Sequence, residues 1–284
     1  LYPLLTEAFD VRVSVGPPYF NPVGAIFALP MVAVMAVGPL LRWRKDGFGR
    51  IRKELALLAA LLLAVLILVS LLGDVALLPL LGLALAAVLA VGSVMPLKGR
   101  NLRRVPIATW GMVLGHLGLA VALFGMASES AFTKERLAAL APGEATTVGP
   151  WTVELEQVAP AAGANWTAME AQLSARQEGG EPVSLNPQHR TFWAPPQQTA
   201  ESVLETRWNG QLYAVIGNQA GAGADGPARW QVRLWWKPFV TWIWYGGVLI
   251  AIGGALALIG HVRHDLRRRF VRRKAAARRR EVAA

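Results

Sequence analysis

Cysteine is absent from all 284 residues. The chain therefore forms neither a disulfide nor a thiolate metal site, and it lacks the Cys-x-x-Cys-His attachment sequence of a c-type cytochrome. Also missing are the His-Glu-x-x-His zinc helix, the Gly-x-x-x-x-Gly-Lys-Ser/Thr phosphate loop, the Gly-x-Ser-x-Gly elbow and any carboxylate pair inside an apolar run. An ordinary hydrolase or ATPase is disfavoured, and no catalytic residue is assigned. Acidic residues are few, 18 against 29 Lys and Arg, for a net charge of +11. No nucleic-acid recognition motif accompanies that charge, so nucleic acid is not an expected partner.

What the chain has in abundance is apolar sequence, at 54% of residues with a mean hydropathy of +0.38. It falls into five uninterrupted runs: 20–41, 55–73, 75–97, 105–127 and 238–260. Each has the length that crosses a hydrocarbon core of roughly 30 Å at about 1.5 Å per helical residue. Pro30 and Pro79 fall inside two of the runs, which bilayer helices tolerate when neighbours satisfy the freed carbonyls. Short cytoplasmic loops collect Lys and Arg. Arg42, Arg44, Lys45, Arg50, Arg52 and Lys53 lie between runs one and two, and Lys98, Arg100, Arg103 and Arg104 between runs three and four. Ten more basic residues follow the fifth run, from Arg263 to Arg280. All three segments fall on one side. That pattern predicts a multi-pass membrane protein with a basic cytoplasmic tail over 261–284, in contact with lipid headgroups.

The opposite side receives residues 1–19 and the segment 128–237. Between Ser128 and Leu234 there are 11 acidic and 7 basic residues, a net of 7 − 11 = −4. Thr147 to Val158 alternates apolar and polar residues, and 168–175 and 211–216 repeat the pattern between Gly, Pro and Asn clusters. Glu201 to Arg207 is expected as a short helix and Gly221 to Gly226 as a loop. The fold class is thus an α-helical integral membrane protein of five transmembrane helices, with a β-rich extracytoplasmic domain inserted between helices four and five.

His116 sits in the middle of the fourth run, where hydrocarbon supplies no water and no acceptor. An ionisable ring at that depth is a functional-site candidate by default. Gly111, Gly115, Gly118, Ala122 and Gly125 line one face of the same helix, and such a stripe admits a neighbouring backbone or a flat macrocycle. Neutral imidazole is an axial ligand of haem iron, and a b-type haem needs no covalent attachment motif. The alternative is a histidine that packs helices and bonds a nearby carbonyl. On the ligand reading, Gly115→Leu is expected to disturb packing or haem more than Leu117→Ala. His189, in the β-rich segment, is expected on the surface, and His261 and His264 at the basic end of the fifth run are assigned no chemistry. Gly246, Gly253 and Gly260 recur every seven residues in that run. Trp235, Trp236, Phe239, Trp242, Trp244 and Tyr245 crowd its start, as in an interfacial belt, with Arg233 and Lys237 as candidates to pair an anionic group such as a haem propionate.

Several segments together resemble the C-terminal part of the CcmF family, the haem-lyase subunit of bacterial cytochrome c maturation. They are Ser14–Asn21 (SVGPPYFN), Trp110–Ala120 (WGMVLGHLGLA), Gly163–Trp166 (GANW) and Val232–Trp244 (VRLWWKPFVTWIW), in the family's order along the chain. The resemblance implies an enzyme that takes haem from a periplasmic haem chaperone and joins it to the Cys-x-x-Cys-His site of apocytochrome c through two thioethers. It implies further maturation subunits as partners, including one that handles the apocytochrome thiols. The histidine of the Trp-Gly-Met-x-x-x-His motif, here His116, is implied as axial ligand of a transmembrane b-type haem that reduces the incoming haem iron. The family's Trp-rich haem-handling loop, its two flanking histidines and the second haem ligand do not stand in these residues. They are expected upstream of Leu1, which leaves the chain a segment or split subunit that is inactive alone. The competing reading is a non-catalytic scaffold that recruits apocytochrome or chaperone through its β-rich domain.

Overall fold

The computed structural model describes residues 16–41, 48–220 and 227–283. The expected loop 221–226, most of the 1–19 segment and the cations Arg42, Arg44 and Lys45 lie outside them. The chain divides into two compact units, one of residues 1–127 and 243–284, the other of residues 128–242.

The first unit is helical: α1 (Pro17–Val37), α2 (Phe48–Leu71), α3 (Leu77–Val94), α4 (Ile107–Phe132) and α5 (Trp242–Ala283). Each contains a stretch long and apolar enough to cross a membrane. Their boundaries follow the prolines. Pro17 opens α1 at the position where a missing N–H costs nothing. Pro79 is the third residue of α3, so it belongs to the first turn rather than the interior, whereas Pro22 and Pro30 lie inside α1. Pro106 delays α4 to Ile107, and its carbonyl accepts from Thr109 N at 3.0 Å. The tail that follows the fifth apolar run is helical. It continues α5 to Ala283, as its Ala, Arg and Lys content favours.

A buried cluster of Val32, Ala36, Leu58, Val88, Leu89 and Ala120 joins four of the helices. Small residues set their spacing. A Cβ on Gly92 of α3 would collide with the backbone carbonyl of Ala36 in α1, and one on Gly82 would lie 3.0 Å from the Ala127 side chain.

Among its described residues the second unit holds ten strands: β1 (Lys134–Leu140), β2 (Ala145–Val148), β3 (Trp151–Ala162), β4 (Trp166–Gln177), β5 (Val183–Leu185), β6 (Gln188–Trp193), β7 (Pro196–Glu201), β8 (Val203–Arg207), β9 (Gly210–Gln219) and β10 (Trp230–Pro238). They form one sheet in the order β1-β10-β9-β8 and another in the order β2-β3-β4-β6-β7, with β5 beside β4. The core lies between inward residues of both, including Trp151, Val153, Leu155, Leu173, Leu212, Ile216, Val232 and Leu234, none above 1% exposed. The alternation expected over Thr147 to Val158 is real but belongs to two strands, because Gly149, at φ +55°, turns β2 back into β3. The short helix expected over Glu201 to Arg207 does not form. Val203–Arg207 is a strand that pairs antiparallel with β9, Leu204 opposite Tyr213, so ladder pairing overrides the local pattern.

Candidate functional site

His116 occupies the third turn of α4, one turn before Ala120, and its ring is partly buried. Its Nδ1 lies 2.9 Å from the carbonyl oxygen of Met112. A carbonyl only accepts, so Nδ1 carries the proton and donates. In the neutral ring the remaining lone pair then sits on Nε2. A carbonyl bonded to one ring nitrogen in this way fixes the tautomer and aim of a metal-binding imidazole. The donor is a single imidazole nitrogen, a ligand type that suits haem iron. No cluster of three or more metal-binding side chains occurs among the described residues. The bond is also the helix-internal contact that the packing alternative requires. What distinguishes the two readings is Nε2, for which no protein partner is found among the described residues.

The small-residue faces have a definite occupant. A Cβ on Gly111 would strike the backbone of Gly253 and Ala257, and one on Gly118 would come within 2.6 Å of Ile250 N and 2.7 Å of Gly246 O. Reciprocally, a Cβ on Gly246 would come within 2.5 Å of Gly118 O, and one on Gly260 within 2.6 Å of Ala108 N. The stripes of α4 and α5 therefore face each other backbone to backbone, and the macrocycle is not what fills them. Gly115 differs. Its own Cβ direction meets nothing within 4 Å, although its backbone touches Gly253. The expectation that a side chain at position 115 fills a close contact is thereby overturned, and the tight positions are Gly111 and Gly118. The space beside residue 115 is thus open at the position next to the imidazole.

The aromatic crowding resolves into specific contacts. Trp236 is buried against Trp151, with ring centroids 6.4 Å apart, and is core rather than belt. Trp235 meets Tyr213 edge-on at 5.2 Å. Trp242 Nε1 donates to the Trp208 carbonyl at 2.9 Å, and Thr241 Oγ1 to that of Arg207 at 3.0 Å. Trp244 and Tyr245 are exposed at the start of α5, as a belt requires.

Both cations considered for a propionate are already engaged. Lys237 Nζ is 2.9 Å from Glu129 Oε1, and Arg233 Nε is 2.5 Å from Glu135 Oε1 while its guanidinium stacks 4.6 Å from the Trp235 ring. The Arg233 hydrogen bond holds the Glu135 carboxyl below the usual carboxylate range. Sequence reading missed these partners because each acid is about a hundred residues away along the chain. His189 is half-buried on β6, opposite Met169 of β4, instead of on the open surface. His261 Nδ1 also lies 2.9 Å from an i−4 carbonyl, that of Ala257, but the residue is exposed.

Residues 131–238 match the family described as the CcmF C-terminal beta-sandwich. Across most of its length the chain is similar to the cytochrome c-type biogenesis protein CcmF of Escherichia coli K12, at 31% identity over 263 residues, covering 91% of this chain and 40% of that protein. It is 32% identical over 278 residues to CcmF of Pseudomonas aeruginosa, again covering 91% and 40%. With CycK of Bradyrhizobium diazoefficiens the identity is 34% over 275 residues, covering 91% and 41%. A solved structure of a cytochrome c haem lyase CcmF shares the fold, with a TM-score of 0.71 at 24% identity over 90% of this chain and 41% of that one. The chain spans about two-fifths of the length of the relatives it matches.

Proposed function

The chain belongs to the CcmF family as a C-terminal portion of it, and from that premise we propose that it is the C-terminal part of a membrane haem lyase. The reaction joins haem, delivered by a periplasmic chaperone, to the two thiols of a Cys-x-x-Cys-His site in apocytochrome c. In this reading His116 would hold a b-type haem within the membrane unit. When bound, that haem supplies one-electron chemistry suited to keeping the substrate iron ferrous.

The residues of this chain have three tasks in the proposal. His116 presents Nε2 as ligand atom, with Met112 O holding the ring in the required tautomer. Gly111 and Gly118, with Gly246, Gly253 and Gly260, bring α4 and α5 into backbone contact and so fix the helix that carries the ligand. The acidic β-sandwich stands in the periplasm, where partners with thiols to protect meet the lyase. The basic end, with the tail of α5, lies in the cytoplasm, as the distribution of Lys and Arg favours.

The observation that carries the reading is the His116 ring in the fourth apolar helix, fixed through Nδ1 with Nε2 free of partners among the described residues. The test is maturation of a reporter c-type cytochrome in cells whose only haem lyase contains this segment. His116→Ala is expected to lower covalently attached haem at least tenfold while the variant still reaches the membrane. Undiminished maturation would leave the β-sandwich scaffold as the better account.

A further inference from the structure

The basic ends of α1, α2 and α3 enclose a cleft that the haem reading does not use. Its walls include Leu57 of α2 and Met95 just beyond α3, and its rim carries Lys53, Lys98 and Arg100. None of these three cations makes an ion pair with a described residue. Arg50, also at the rim, donates to the Leu40 carbonyl at 2.6 Å and closes the end of α1. Among the described residues of the lining stands one acid, Glu54. Its Oε2 is sealed from solvent and has no hydrogen-bond partner among the described residues. A desolvated carboxylate oxygen without a donor is costly, and none of the three rim cations pairs with it.

The cleft thus asks for a ligand of two charges: an anion for the lysines and arginine, and an N–H donor small enough to reach Glu54. It lies at the end of apolar spans, where basic pockets between helices take lipid headgroups. We infer that it binds a zwitterionic phospholipid bearing a primary ammonium, the chemistry of phosphatidylethanolamine. The ammonium donates to Glu54 Oε2, the phosphate lies among Lys53, Lys98 and Arg100, and the acyl chains follow the apolar surface beyond Leu57. Phosphatidylglycerol answers the cations alone and leaves the Glu54 oxygen without a charged donor. Phosphatidylcholine brings a trimethylammonium that has no N–H to give. This inference goes beyond the haem-lyase reading and stands or falls separately from it.

The test is native mass spectrometry of the full 284-residue chain from micelles holding equal amounts of phosphatidylethanolamine, phosphatidylcholine and phosphatidylglycerol with the same acyl chains. Retention of phosphatidylethanolamine over phosphatidylcholine by on the order of tenfold is expected, the scale of one charge-assisted hydrogen bond. Glu54→Leu is expected to bring the two lipids level. Lys98→Gln is expected to lower both together, because both carry the phosphate. Equal retention of the two by the unmodified chain overturns the proposal without any variant having to fold, as does phosphatidylglycerol ahead of both. A preference that survives Glu54→Leu also overturns it. Competition by free O-phosphoethanolamine at matched concentration would assign the cleft to a soluble ligand instead.

Discussion

A single hydrogen bond decides what His116 can do. With Met112 O accepting from Nδ1, the ring keeps its lone pair on Nε2. The spacing of four residues was visible in the sequence, and so was the membrane depth. The open space at Gly115 was not, because a glycine stripe reads alike whether a helix or a cofactor fills it. The same holds for ion pairs between distant strands. Glu144 accepts from the backbone N–H of Ala141 and from both arms of Arg229, which donates to Oε1 at 2.9 Å and to Oε2. The Ala141 bond first and the arginine second hold its carboxyl below the ordinary value of 4.5. A carboxylate whose folded value is depressed stabilises the fold above its unfolded value and loses that contribution as pH falls through the folded one. Acid unfolding of the β-sandwich, followed by near-ultraviolet circular dichroism, is therefore expected to begin below about pH 4.5. Glu144→Gln is expected to be less stable at neutral pH and to show a shallower acid limb. An unchanged limb would place the acid sensitivity elsewhere.

Pairs of elements, rather than single residues, hold the ligand helix in place. Gly111 and Gly118 of α4 interlock with Gly246, Gly253 and Gly260 of α5, so each stripe is explained by the other. Either stripe alone was legible as a close-packing face, since spacing along one helix needs no partner to be read. Their mutual contact was not, because nothing in one sequence fixes the rotation of one helix against another. Gly111→Leu or Gly118→Leu forces the backbones apart and is expected to destabilise the detergent-solubilised protein by about 1–3 kcal/mol, the usual range for overpacking. Gly115→Ala is expected to be neutral or to stabilise by up to about 1 kcal/mol, since alanine favours the helix and meets no atom there. Thermal unfolding of the three variants separates the cases, and equal losses at 111 and 115 would remove the interlock. In the β-sandwich, the strands that alternate cleanly, such as β9, could be read in advance. Polar edge strands such as β7, with its sequence PQQTAE, could not, for they carry no inward apolar set.

At the scale of the whole molecule, hydropathy and charge separated the chain into a membrane unit and an acidic β-rich unit before any geometry was known. The two compact units divide between residues 127 and 128 and again between 242 and 243, whereas the fifth apolar run is read from 238. The absence of cysteine now becomes useful, because any introduced thiol is the sole one. Ser184→Cys in the β-sandwich and Arg268→Cys in the continuation of α5 both place it at exposed positions. A membrane-impermeant maleimide added to intact spheroplasts is expected to label position 184 and to reach 268 only after lysis. The reverse pattern would invert the proposed topology. The account rests above all on His116 as a haem ligand, and absorbance spectroscopy of the purified, membrane-extracted protein tests that claim most directly. The predicted result is a reduced-minus-oxidised b-type spectrum that His116→Gly loses or shifts and that added imidazole restores in part, since imidazole supplies the missing ligand atom. A His116→Gly protein that folds and keeps the unaltered spectrum would contradict it.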